Sequence, residues 1–150
     1  MTMISRRNIL GLGGVSVVGA AAFSLRPAAG TRTRTASVMT PVEALSAAAS
    51  GDILIVDVRR PDEWAQTGVA EHAIPIDMRD DDFLAKLSAA RASETQPVAL
   101  ICARGVRSAR VTRWLQEAQI APIIDIPEGM LGSSAGPGWI ARALPVNKVN

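Results

Sequence analysis

The stretch Val98-Ala99-Leu100-Ile101-Cys102-Ala103-Arg104-Gly105-Val106-Arg107-Ser108 decides the reading of this 150-residue chain. Val98 to Ile101 is a continuous apolar run of the kind found in a strand buried on both faces, and such strands imply a parallel sheet. From Ser108 onward Val111, Trp114 and Leu115 recur at three- and four-residue spacing, which predicts an amphipathic helix to about Ala118. Cys102 then stands at the carboxyl end of a buried parallel strand, ahead of a short loop and a helix, where open α/β sheets place their ligands. A helix starting near Ser108 directs unpaired N–H groups and a partial positive charge at that loop, and Arg104 and Arg107 add full charges. All of these favour thiolate over thiol and make Cys102 the candidate nucleophile. Gly105 lets the backbone turn tightly, so that the segment Ala103, Arg104, Gly105, Val106 and Arg107 can form an anion cradle and the candidate substrate-binding loop. The competing reading is an inert buried cysteine, the usual state of a free thiol, and the loop chemistry argues against it.

Working outward, a second buried run at Ile53-Leu54-Ile55-Val56 predicts another central strand. It follows a short helix that Thr40-Pro41-Val42-Glu43 opens with a threonine cap, a proline at the first helical position and a glutamate three residues after the cap; Gly51 ends it. A helical piece is expected around Glu63-Trp64-Ala65, with further strands at Ala73–Ile76 and near Pro122-Ile123-Ile124. Asp80-Asp81-Asp82 suits the positive end of a helix whose inward face carries Phe83, Leu84 and Leu87. The glycine- and serine-rich stretch from Glu128 to Gly138 lacks the lysine of a phosphate-binding loop, so its glycines read as turn residues. Trp64, Trp114 and Trp139 read as core. Strands and helices alternating at these lengths make one α/β domain with a mostly parallel sheet.

The bulk numbers exclude several classes. Hydrophobic residues at 48% and charged residues at 20% fit a soluble globular domain rather than a disordered or multi-span membrane chain. A single cysteine rules out a disulfide framework and a multi-cysteine metal site within one chain, and no metal or other cofactor is expected. Residues 1–30 read as an export signal: a charged start, an apolar run from Ile9 to Leu25, and a small-residue end at Pro27-Ala28-Ala29-Gly30. Ser5-Arg6-Arg7-Asn8-Ile9-Leu10 is similar to the twin-arginine export motif, with Ile9 where phenylalanine is usual and Gly11 where lysine is frequent. The alternative is an uncleaved membrane anchor, for which the apolar run is short and broken by Gly11, Gly13, Gly14 and Gly19. Either way the working domain is expected outside the cytoplasm, periplasmic or otherwise exported, with no stable membrane span once the signal is removed. With Arg6, Arg7 and Arg26 set aside, the 16 basic residues fall to 13, one fewer than the 14 acidic, so a nucleic-acid partner loses its support. Residues 31–39 read as a flexible lead-in and 40–150 as the domain.

The loop Cys102 to Ser108, together with Ile55-Val56-Asp57-Val58-Arg59, Pro61-Asp62-Glu63-Trp64, Gly68, Trp139 and Leu144-Pro145-Val146, resembles a single-domain rhodanese over roughly Val42 to Val146. The resemblance implies a central five-stranded parallel sheet flanked by helices. It also implies a cysteine that takes sulfane sulfur from a small anionic donor such as thiosulfate and passes it from a persulfide to a thiol, cyanide or protein acceptor. Cys102 matches the persulfide-forming residue, and Arg104 and Arg107 match loop positions that meet the donor. Asp57, Arg59 and Ser108 are expected to support the loop from behind. Many rhodaneses carry histidine after the glycine matching Gly68 and a second glycine a few residues on; this chain has Val69 and His72, and His72 reads as a surface or structural histidine. A related phosphatase branch places arginine six residues after cysteine, to clamp phosphate bidentately. That position here is Ser108, and Arg107 falls one residue short. A non-enzymatic persulfide carrier or sulfide-binding module remains open beside the enzyme.

Overall fold

A computed structural model describes residues 37–120 and 122–149. In chain order its elements are Ser37–Val38 (β1), Pro41–Ala49 (α1), Leu54–Asp57 (β2), Pro61–Thr67 (α2), Val69–Ala70 (β3), Ala73–Pro75 (β4), Phe83–Ala90 (α3), Val98–Ile101 (β5), Val106–Glu117 (α4), Ile123–Asp125 (β6) and Val146–Asn147 (β7). The proposed export signal and the Arg6-Arg7 motif lie outside the described residues. Among the described residues no helix is long and apolar enough to cross a membrane.

The two apolar runs of the sequence become the two middle strands of the main sheet. Its order is β1-β6-β5-β2-β4, five strands and all parallel, as the resemblance implied. Both faces are covered because side chains alternate along each strand. Leu54, Val56 and Val58 join Val98, Leu100 and Cys102 on one face, packed against Phe83 and Leu87 of α3 and Val111 and Leu115 of α4. Ile53 and Ile55 join Ala99 and Ile101 on the other, against Ala44 of α1 and the later Met130 and Trp139. Burying a side chain of this size contributes about 1.5–3 kcal/mol, so the runs that set the strands also anchor the two layers.

The cap of α1 forms as expected: the Thr40 hydroxyl accepts from the Glu43 N–H, while the Glu43 carboxylate accepts from the Thr40 N–H. Several details differ from the sequence reading. Leu84, read as inward-facing on α3, is 41% exposed, and only Phe83 and Leu87 of that face are buried. Helix α4 begins at Val106, not near Ser108, because Gly105 takes a left-handed conformation (φ 80°) that ends the loop two residues sooner. Ser37 and Val38, within the stretch read as a lead-in, form an edge strand on β6, with the Met39 N–H bonded to the Asp125 carbonyl. A small antiparallel pair, β3 with β7, closes the domain and had no signature in the sequence. Trp114 is not core: it is 43% exposed and lies over Phe83 at the rim between α3 and α4, ring centroids 5.7 Å apart, while Trp64 and Trp139 are buried.

Candidate active site

The chain leaves β2 through α2 toward β4 and leaves β5 through α4 toward β6, in opposite directions across the sheet. The switch point therefore falls between the carboxyl ends of β2 and β5, where a crevice opens in folds of this class. Cys102 directly follows β5 there, its side chain 1% exposed. The N–H groups of Val106, Arg107 and Ser108 belong to the first turn of α4 and have no carbonyl four residues back within the helix, so they face the loop.

The loop is held from two sides. Met130 donates its N–H to the Cys102 carbonyl and Leu131 to that of Ala103, each at 2.8 Å, which lays the segment after β6 against it. Gly105 and Gly129 make that approach possible. A side chain at Gly105 would clash with the Pro127 carbonyl oxygen, and one at Gly129 would meet the Ala103 backbone at 2.6 Å. Gly129 is thus a site residue that the sequence presented only as part of a turn-rich stretch.

The two loop arginines differ sharply. Arg104 is exposed, and its guanidinium touches only the Gly132 carbonyl, at 3.4 Å, with no carboxylate partner among the described residues. Arg107, on the first turn of α4, forms a bidentate pair with Glu63 of α2, both contacts 2.6 Å. That pair pulls the Glu63 carboxyl down to about 2 and holds the Arg107 guanidinium above its ordinary value, with smaller contributions to the latter from the charges of Cys102 and Asp57. Arg107 therefore lends part of its field to the thiol while being fixed to another helix. Glu63 was legible as part of Pro61-Asp62-Glu63-Trp64, but nothing local links it to a residue 44 positions away.

Of the residues read as supporting the loop, Asp57 and Arg59 pair with each other at the end of β2, and Ser108 lies beside Cys102. Arg59 is 1% exposed and Asp57 fully buried; the guanidinium donates to both carboxylate oxygens at 2.8–3.0 Å, to the Thr67 hydroxyl at 2.7 Å and to the Gly68 carbonyl at 2.6 Å. This pair ties the end of β2 to the end of α2. Ser108, fully buried, places its hydroxyl oxygen 3.6 Å from the Cys102 sulfur and donates to the Gly105 carbonyl at 3.1 Å. His72 is exposed at the amino end of β4. Ala73 is level with Ile55, and Ile55 with Ala99, so His72 lies about 13 Å behind Cys102 along the strand direction and is not its base.

A parallel sheet with a cysteine loop at its switch point, seated on a helix N-terminus and flanked by arginines, defines a rhodanese-type domain. Residues 40–134 match the model of the rhodanese-like domain family, and the chain belongs to that family. A search of curated proteins gave no match. Among solved structures, the chain is similar to Rv0390 from M. tuberculosis, at 28% identity and a TM-score of 0.59 over 76% of this chain and 98% of that one. It is similar in fold to a rhodanese-like domain protein from Staphylococcus aureus, at 24% identity and a TM-score of 0.52 over 75% and 99% of the two chains. It also shares its fold with the polysulfide-sulfur transferase homodimer of Wolinella succinogenes, at 21% identity and a TM-score of 0.59 over 77% and 80%.

Proposed function

We propose that the protein is a sulfurtransferase in which Cys102 attacks the outer sulfur of an anionic donor such as thiosulfate, releases the rest of the donor and holds the sulfur as a persulfide. A thiol, cyanide or protein thiol then attacks that sulfur and regenerates Cys102. The observation that carries this reading is the single cysteine at the switch point, beside the first turn of α4, with an exposed Arg104 at the loop that has no carboxylate partner among the described residues. The donor's charge finds Arg104 and the N–H groups of the first turn of α4; the thiolate finds the field of Arg107 and the helix. Phosphate-ester hydrolysis fits less well, because the sixth position after cysteine is a buried Ser108 and Arg107 is already clamped by Glu63.

The test is mass spectrometry of the purified protein after thiosulfate treatment. One added sulfur on Cys102 is expected, and it should disappear on adding cyanide or a thiol. No added sulfur would overturn the reading. The carrier alternative draws on Val106, an apolar side chain 77% exposed at the edge of the loop, suited to contact with a protein acceptor. Turnover on cyanide and small thiols argues for the enzyme; discharge only to a protein thiol argues for the carrier.

Export is a further part of the proposal, resting on Arg6-Arg7 ahead of the glycine-rich apolar run. Replacing both arginines with lysine should hold the precursor in the cytoplasm, and normal export of that variant would remove the twin-arginine route.

A further inference from the structure

Two helix ends meet at the amino end of the main sheet, away from Cys102. Helix α3 stops at Ala90, shortly before the chain enters β5, and α4 stops at Glu117, shortly before it enters β6. The first residues of those strands, Val98 and Ile123, are level with each other. Val98 stands four residues before Cys102, about 13 Å along the strand, so this end of the fold is separate from the candidate active site. A cleft of about 310 Å³ opens here. Leu84, Leu87 and Ile120 give it an apolar wall, and Arg91, Glu94 and Gln119 a polar one. Its volume lies at the small end of the range for ligand pockets.

Arg91 makes the cleft a candidate site. Its Nε and Nη2 atoms are buried and have no hydrogen-bond partner. A cation at the carboxyl end of α3 suits the negative end of the helix dipole, which accounts for the charge. It does not account for two buried donors left unmade, each of which costs stability unless something accepts from it. Nε and Nη2 form the side-on edge of the guanidinium, and three other arginines of this chain show what that edge takes. Arg59 on Asp57, Arg79 on Asp77 and Arg142 on Glu128 each seat a carboxylate there. Arg91 presents the same edge with no carboxylate on it among the described residues; Glu94, three residues on, lines the cleft without bonding to it. Gln119 is a second irregularity on the lining. It follows the last residue of α4's cap in a left-handed conformation (φ 55°), which glycine takes without strain, and so keeps a polar side chain on the cleft at some cost.

We propose that this cleft is a second ligand site, for a small organic carboxylate. Its two oxygens accept from Nε and Nη2 of Arg91, and its apolar body lies on Leu84, Leu87 and Ile120. A bidentate carboxylate satisfies both orphaned donors at once, in the geometry that the other three arginines already use. Two kinds of molecule carry this chemistry. One is a plain short-chain acid. The other is an apolar amino acid, whose ammonium meets Glu94 and the negative ends of the two helices.

The test is an NMR titration of the isotope-labelled full chain, read at the Arg91 Nε–H and at the methyl groups of Leu84, Leu87 and Ile120. The probes are hexanoate, norleucine and hexanol, which share one chain length. At least one of the two acids should move all four residues in a saturable way, while hexanol, which lacks the carboxylate, should not. The tighter acid identifies the source, hexanoate a plain acid and norleucine an amino acid. Arg91→Gln and Arg91→Lys should each weaken binding by about tenfold or more, since lysine keeps the charge but not the fork. Failure of both acids to move Arg91, hexanol binding as tightly as the acids, or undiminished binding in Arg91→Gln overturns the proposal. The probe series on the native protein decides the matter even if a variant does not fold. No sulfur donor and no residue of the Cys102 loop enters the assay, so its failure and that of the sulfurtransferase reading are told apart.

Discussion

The segments that follow β2 and β5 start from nearly the same plan and end in opposite uses. Each leaves a strand buried along its whole length, carries an arginine two residues beyond a polar or reactive side chain, and enters a helix. After β2 the arginine is Arg59, which folds back on Asp57, finds Thr67 and Gly68 as well, and is sealed. After β5 the arginine is Arg104, which finds one carbonyl and stays exposed, while the strand-end position holds a thiol instead of a carboxylate. The comparison teaches that an arginine at a strand end is a structural tie or a binding group according to whether a carboxylate is already beside it. Sequence spacing alone does not distinguish the two.

Replacing Cys102 with serine tests the reactive half most severely. Sulfur transfer should vanish while the far-UV circular dichroism and the thermal midpoint stay near native, since the hydroxyl is close in size but a far weaker nucleophile. Retained transfer would end the comparison. The sealed half should respond in stability instead. Arg59→Ala leaves a fully buried Asp57 carboxylate without its partner, which costs about 3–5 kcal/mol. Urea denaturation should show that loss, and a cost under about 1 kcal/mol would mean Arg59 is no tie.

Arg104→Ala is the matched experiment after β5. Stability should move by no more than about 0.5 kcal/mol, as for most exposed positions. The KM for thiosulfate should rise about tenfold, equivalent to about 1.4 kcal/mol of binding, with a much smaller change in kcat. A fall in kcat with KM unchanged would place Arg104 in the chemistry rather than in capture.

The smallest effect concerns Glu63 and Arg107, which lie between the two extremes: paired like Arg59, part-exposed like Arg104. The Glu63 carboxyl is depressed from 4.5 to about 2, chiefly by the Arg107 hydrogen bonds. Since the folded value lies below the unfolded one, the pair's stabilisation is complete above about pH 4.5 and is lost as pH falls toward 2. For a pair still reached by water that amounts to about 1 kcal/mol or less. Denaturation midpoints of the native protein and Glu63→Gln should converge on acidification across that window. A gap that stays constant with pH would show that the glutamine disturbs packing rather than charge.

Much of this was legible in the sequence, and the reason is locality. Val98 to Ile101 and Ile53 to Val56 are apolar runs whose burial on both faces follows from having no polar side to expose. Thr40, Pro41 and Glu43 satisfy one another's backbone groups within a single turn. Cys102 at a strand end was equally plain, because strand and helix on either side are each readable from a few neighbours. What only the tertiary structure decided involves residues far apart in the chain. The two-residue strands β1, β3 and β7 are too short for a periodic signal and exist because a partner strand is there to bond them. The start of α4 moved to Val106 once Gly105 was packed under Pro127. Trp114 lies part-exposed over Phe83, a neighbour that only the packing of α3 beside α4 supplies. The fate of each arginine depended on which charges the sheet order brought side by side; charge fixes how strongly groups interact, but only the fold fixes how far apart they stand.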